Sequence, residues 1–94
     1  MHPYQVLRRP IITEKTDRQA EMGQYTFEVH PAANKIQVRE AVQKAFNVQV
    51  LAVRTMVVPG KRRRFGRRVT HTTPWKKAIV TVAEGQRIEF FEGV

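Results

Sequence analysis

Cysteine is missing from all 94 residues. That excludes a disulfide scaffold, a thiolate metal site and a thiol nucleophile, and it accords with a reducing compartment. Long apolar runs are also missing. None exceeds the four residues Val50–Val53, far short of the roughly 20 that a membrane-spanning helix needs. Met1-His2-Pro3-Tyr4-Gln5 shows no basic stretch leading into an apolar one, so no signal peptide is expected. Gly23, Gly60, Gly66, Gly85 and Gly93 never cluster, which leaves no glycine-rich phosphate cradle. His2, His30 and His71 are scattered without metal-ligand spacing, and each reads more simply as a surface or turn histidine. The acids stand close to basic neighbours and read as ordinary solvated pairs. Neither catalytic residues nor a metal or cofactor are expected.

The most informative absence is of negative charge. Residues 41–83 carry ten Lys and Arg and no Asp or Glu, whereas residues 1–40 carry six basic and five acidic side chains. Residues 84–94 set Arg87 against Glu84, Glu89 and Glu92. The chain's net charge of +9 therefore belongs to one segment, and eight of its ten cations lie between Lys61 and Lys77. Six like charges in Lys61-Arg62-Arg63-Arg64-Phe65-Gly66-Arg67-Arg68 repel one another until a polyanion relieves them. Arg dominates the run, and its planar fork suits phosphate oxygens and stacks on bases. Nucleic acid is the partner this charge selects. The plainer reading is a solvated charge run or a localisation signal.

What remains is enough for one packed domain over residues 1–94: hydrophobic residues make up 41% and aromatics 9%, which argues against wholesale disorder. After an extended N-terminal piece, Thr13 is a good N-cap with Glu14 and Asp17 in the first turn, and Gly23 ends that helix. Gln24 to Val29 alternates, with Tyr25, Phe27 and Val29 on one face, which predicts a half-buried strand. Asn34 caps a second helix with Gln37 placed as in a capping box. Val38, Ala41, Val42, Ala45 and Phe46 form its apolar stripe, and Asn47 can end it. Val48 to Val58 is β-branched and apolar on both faces, predicting a strand covered on two sides. Trp75 to Val82 is a further strand, and a last helical turn is expected around Ile88 to Phe91. Tyr25, Phe27 and Phe46 read as core by their spacing. Phe90-Phe91 either pack against the sheet or offer an apolar contact to a partner.

A strand–helix–strand unit followed by an antiparallel return strand predicts a ferredoxin-like α+β sandwich. Between its last two strands, residues 60–74 make an extended basic loop where two to five residues are usual. Trp75 beside Lys76 and Lys77 either stacks on a nucleotide or begins the core face of its strand.

Several stretches together resemble a known family. Arg9-Pro10-Ile11-Ile12-Thr13-Glu14-Lys15 looks like the Pro–apolar–apolar–Ser/Thr–Glu–Lys signature of protein twenty-three of the large ribosomal subunit. Ala41-Val42-Gln43-Lys44-Ala45-Phe46, Pro59-Gly60-Lys61-Arg62-Arg63-Arg64, Trp75-Lys76-Lys77-Ala78-Ile79-Val80 and Glu84-Gly85-Gln86 follow in the family's order. The resemblance covers nearly the whole chain and implies a β-(α)-β-α-β-β antiparallel sheet with helices. It also implies a cytoplasmic, or organellar, ribosomal protein of the bacterial type, bound to large-subunit ribosomal RNA beside the polypeptide exit tunnel. The long loop would then follow the tunnel wall, and neighbouring ribosomal proteins would lie alongside.

The candidate RNA-binding residues on this reading are Arg8, Arg9, Lys35, Lys61, Arg62, Arg63, Arg64, Phe65, Arg67, Arg68, Trp75, Lys76 and Lys77. The resemblance further implies an outer rim at Ile12, Thr13 and Glu14 that docks trigger factor, signal recognition particle and the protein-conducting channel (the translocon). Some family members carry a second acid after the second helix, where this chain has Asn47. Two other classes are separable in principle. A free-standing regulatory RNA- or DNA-binding module would act on a short target without a ribosome. A small acylphosphatase-like enzyme would need a phosphate-binding loop, which is not readable here.

Overall fold

The computed structural model describes residues 3–60, 62–65, 68–71 and 74–88, including the side chains of 5–60 and 74–88. The elements in chain order are α1 (Pro3–Val6), β1 (Leu7–Pro10), α2 (Glu14–Glu21), β2 (Gln24–Val29) and α3 (Lys35–Phe46). They are followed by β3 (Val50–Val58), β4 (Arg62–Phe65), β5 (Arg68–His71) and β6 (Trp75–Val82). Four strands form one antiparallel sheet in the order β1-β2-β6-β3. Because β2 and β3 both run against β6, the α3 connection leaves room for β6 to insert between them. This is the split strand–helix–strand arrangement of the expected α+β class.

Local chemistry places the helices. Thr13 caps α2: its Oγ1 accepts from the Thr16 amide at 3.2 Å, while Thr16 Oγ1 accepts from the Thr13 amide at 2.7 Å. Gly23 follows at φ +79°, a left-handed conformation that costs an L side chain strain, and its carbonyl accepts from the Val82 amide at 2.9 Å. Asn34 and Gln37 make the reciprocal box at the start of α3, at 2.8 and 3.0 Å. Asn47 closes α3 in the left-handed region, φ 53°, as its short polar side chain allows.

One core joins these elements. Val6 from α1 and Val38, Ala41 and Val42 from α3 pack with Tyr25, Phe27, Val29, Ala78, Val80 and Val82 of the sheet, and Ala20 of α2 lies against the same cluster. Phe46 meets Phe27 with ring centroids 5.8 Å apart in a tilted arrangement, a favoured aromatic geometry. All three helices thus contribute to one side of the sheet.

That one-sidedness corrects the reading of residues 48–58. The strand is not covered on both faces: β3 lies at the sheet edge, and Leu51, Ala52, Arg54 and Val57 are exposed. Its apolar composition reflects β-branched propensity on an edge rather than double burial. Ala45, assigned to the apolar stripe of α3, is exposed as well, because the stripe narrows where the helix end passes β1. Two further differences are additions. Residues 3–6 form a helical turn before β1, and the segment expected as a loop carries the antiparallel β4–β5 ladder, from Arg62↔His71 to Phe65↔Arg68. The expected helical turn at Ile88 to Phe91 begins at a buried Ile88 without helical structure up to that point; Phe90 and Phe91 lie outside the described residues.

The core and cap assignments lead to one measurement. In urea denaturation, Phe27→Ala should cost about 3–5 kcal/mol, and Asn34→Ala about 1 kcal/mol with the m-value unchanged.

Candidate nucleic-acid interface

The face of the sheet away from the helices carries some of the candidate residues. Along β6 the pattern alternates strictly. Ala78, Val80 and Val82 are buried, while Trp75, Lys77, Ile79 and Thr81 are half-buried on the opposite side. The register carries that side onto the neighbours: Val58 stands beside Trp75, Met56 beside Lys77, and Arg54 beside Ile79 on β3. On β2, Glu28 stands beside Lys77 and Thr26 beside Ile79, and Arg9 on β1 is opposite Glu28. One transverse row therefore reads Arg9–Glu28–Lys77–Met56. Within it Arg9 Nη2 is 3.6 Å from Glu28 Oε1, and the Arg9 side chain is 64% exposed. Glu28 is half-buried, but the exposed guanidinium at 3.6 Å makes this a weak pair, and Arg9 can exchange partners.

Of the residues proposed from sequence to touch RNA, the fold brings Arg9, Trp75 and Lys77 onto this open face. Arg8 is exposed on β1, beside a register irregularity between Leu7 and Arg9. Lys35 is exposed as the first residue of α3, a helix with no acid in its first turn. Lys76 points the other way. Its ammonium donates to the Ala33 carbonyl just before the α3 cap, a partly buried tie between β6 and the turn leading into that helix. Arg62, Arg63, Arg64 and Phe65 lie on β4 and Arg68 on β5; Lys61 and Arg67 lie outside the described residues. Because Val58 and Trp75 are register partners, the basic hairpin leaves and re-enters the sheet beside the open face.

Arg54 and Met56 are functional candidates that sequence reasoning missed. A period-two signal was present, since Arg54 alternates with Val53 and Thr55, but the apolar composition of the whole stretch hid it. The irregularity between Val50 and Ala52 also resets the phase.

The other proposed surface starts at the N-terminus of α2. Ile12 is 47% exposed, and Thr13 and Glu14 are exposed. The Thr13 hydroxyl is committed to its cap, so Ile12 and Glu14 carry the accessible chemistry. A groove of about 960 Å³ runs from Ile12 past Met22 to Leu51 and the 83–88 segment. A second cleft, of about 350 Å³, lies between β1 and the end of α3, with Leu7, Pro10, Phe27 and Phe46 as its apolar wall and Arg8, Arg9 and Lys44 around it. Neither is lined by an arrangement of nucleophile and base. Among the described residues there is no cluster of three or more His, Asp or Glu that could hold a metal and no helix long and apolar enough to cross a membrane. His30 is a turn residue whose Nδ1 accepts from the Ala32 amide at 3.0 Å.

A helix-backed sheet with one open, cationic face and a basic hairpin at its edge defines the class: a small, basic α+β domain. Comparison with known proteins names the family. Residues 5–90 match the model of ribosomal protein L23. The large ribosomal subunit protein uL23 of Roseiflexus sp. (strain RS-1) is 52% identical over 93 residues, covering 99% of each chain. That of Heliobacterium modesticaldum is 52% identical over 92 residues, 98% of this chain and 97% of the relative. That of Anaeromyxobacter sp. (strain K) is 55% identical over 89 residues, 94% and 92% respectively. The chain belongs to the ribosomal protein L23 family and is a structural ribosomal protein rather than an enzyme.

The contrast between Lys76 and Lys77 is testable. Lys76→Ala should lower stability by about 1 kcal/mol in thermal or urea unfolding through loss of its tie to Ala33. Lys77→Ala should leave stability within about 0.5 kcal/mol and reduce affinity for RNA in a filter-binding assay.

Proposed function

We propose that this chain is a structural constituent of the large ribosomal subunit that binds large-subunit (23S-type) ribosomal RNA next to the polypeptide exit tunnel. Residues 1–94 act as one RNA-binding domain of the cytoplasmic ribosome, and the 60–74 segment follows the tunnel wall. The observation that carries this reading is the ten cations without one carboxylate in residues 41–83, together with family membership. A segment so charged has no internal counter-ion and is stabilised by phosphate. Lys61, Arg62, Arg63, Arg64, Arg67 and Arg68 neutralise the backbone of the RNA, Phe65 wedges against a base or sugar, and Arg8, Arg9, Lys35, Trp75 and Lys77 anchor the globular part, while Lys76 is held inward by Ala33.

The outer rim serves protein partners. Ile12 supplies exposed apolar area, and Glu14, in the first turn of an exposed helix, supplies a carboxylate that a partner's basic residue can pair with. Trigger factor, signal recognition particle and the protein-conducting channel dock there, beside neighbouring ribosomal proteins.

Two outcomes test the reading. With about six phosphates neutralised by the hairpin, log K for ribosomal RNA fragments should fall against log salt with a slope of roughly −4 to −5. Replacing Arg62, Arg63, Arg64, Arg67 and Arg68 by Ala should remove most of that slope with the circular dichroism spectrum retained; an unchanged slope refutes the hairpin's role. Separately, Glu14→Ala should weaken co-sedimentation of trigger factor with large subunits while the chain itself still sediments with them. Equal loss of both would make Glu14 a first-turn helix charge worth only about 0.3–1 kcal/mol.

A further inference from the structure

We propose that the open face of the sheet is a stacking platform for an unpaired RNA base, with Trp75 as the surface on which the base lies and Arg54 and Lys77 as the cations that hold its flanking phosphates. This inference rests on the RNA-binding reading above and assigns a mode of contact to a face separate from the hairpin.

Three observations carry it. First, Trp75 is half-buried, not enclosed in the core, on β6, an inner strand of the sheet, beside Val58 and two residues from Lys77 on the same face. Side chains two apart on a strand are separated by about 7 Å and those on adjacent strands by about 5 Å, so Trp75, Met56, Lys77, Ile79 and Arg54 form one contiguous patch. Its centre is apolar and its cations lie within reach of a nucleotide bound there.

Second, the sign of the charge selects the occupant. Arg9, Arg54 and Lys77 share the face with the single carboxylate of Glu28, which is already beside Arg9. Lysine is depleted in a protein–protein contact, and three cations against one carboxylate that is already paired leave an excess of positive charge suited to a polyanion. An aromatic flanked by cations on a sheet is the chemistry that binds single-stranded nucleic acid, by stacking on the ring and neutralisation at the rim. Third, the face is continuous with the basic hairpin, because Val58 and Trp75 are the register pair from which that segment departs. An RNA strand held by the hairpin is thereby delivered to the patch. With one aromatic on this face among the described residues, one base is stacked there.

Trp75 is the only tryptophan in the chain, so its emission reports on this face without a label. The experiment titrates the full-length chain at low salt with a short oligoadenylate and with an abasic ribose-phosphate oligomer of equal length, following tryptophan emission and, independently, anisotropy of the end-labelled oligomers. Oligoadenylate should quench the emission to saturation and the abasic oligomer should not. Trp75→Ala should weaken oligoadenylate roughly five- to a hundredfold, the range set by loss of one base–aromatic stack, and leave the abasic oligomer unchanged. Trp75→Phe keeps a ring in place and should restore most of the loss, which separates stacking from a defect in folding. Paired Arg54→Gln and Lys77→Gln should weaken both oligomers and leave saturating quenching intact.

Oligoadenylate binding by anisotropy with unaltered tryptophan emission, or equal affinity in Trp75→Ala, overturns the platform while leaving ribosomal RNA binding through the hairpin standing. Ribosomal RNA fragments bound without any binding of oligoadenylate overturn it too. Failure of all these RNAs to bind overturns the reading beneath it.

Discussion

Burial of one face of the β2–β6 pair beneath α3 is the constraint on which the rest of the molecule depends. Phe27, Val29, Ala78 and Val80 are nearly inaccessible on that side, closed over by Val38, Ala41 and Val42. A chain of this length has too little mass to cover its sheet twice. With the helices committed to one side, the other face is left largely to solvent or to a partner, although Thr26 of β2 is buried there. The alternation along β6 makes the division sharp, because a shift of one residue would exchange Trp75, Lys77 and Ile79 with the core set.

The same division explains how a segment with ten cations and no acid coexists with a stable fold. Lys77 and Arg54 sit on the open face, and Arg62, Arg63, Arg64 and Arg68 lie on a hairpin that has its own two-stranded pairing, outside the four-stranded sheet. Lys76 is the exception, and it is satisfied by a backbone carbonyl rather than by a carboxylate. A neutral acceptor holds an ammonium in place without cancelling its charge, so the segment keeps its positive charge.

Much of this was legible in the residues. The Asn34–Gln37 box, the Asn47 stop, the Thr13 cap and the alternation of Gln24–Val29 and Trp75–Val82 all correspond to the observed elements. These are local devices, each specified within a few positions. The environment of β3 was not legible. Its composition is that of a buried strand, and only its place at the end of the order β1-β2-β6-β3 leaves Leu51 and Val57 exposed. The candidate site was half legible: the basic run, Trp75 and Lys77 could be named, whereas Arg54 and Met56 could not, since what makes them neighbours of Lys77 and Ile79 is pairing across strands more than 20 residues apart.

The amino-acid sequence by itself determined where α2, β2, α3 and β6 lie and where positive charge accumulates, because capping, periodicity and charge are properties of near neighbours along the chain. Only the tertiary structure decided which strands are central, which lysine of the Lys76–Lys77 pair turns inward, and which side chains from four strands share the uncovered face. Those choices follow from strand order and register, which are set by how the whole sheet can bury a single side.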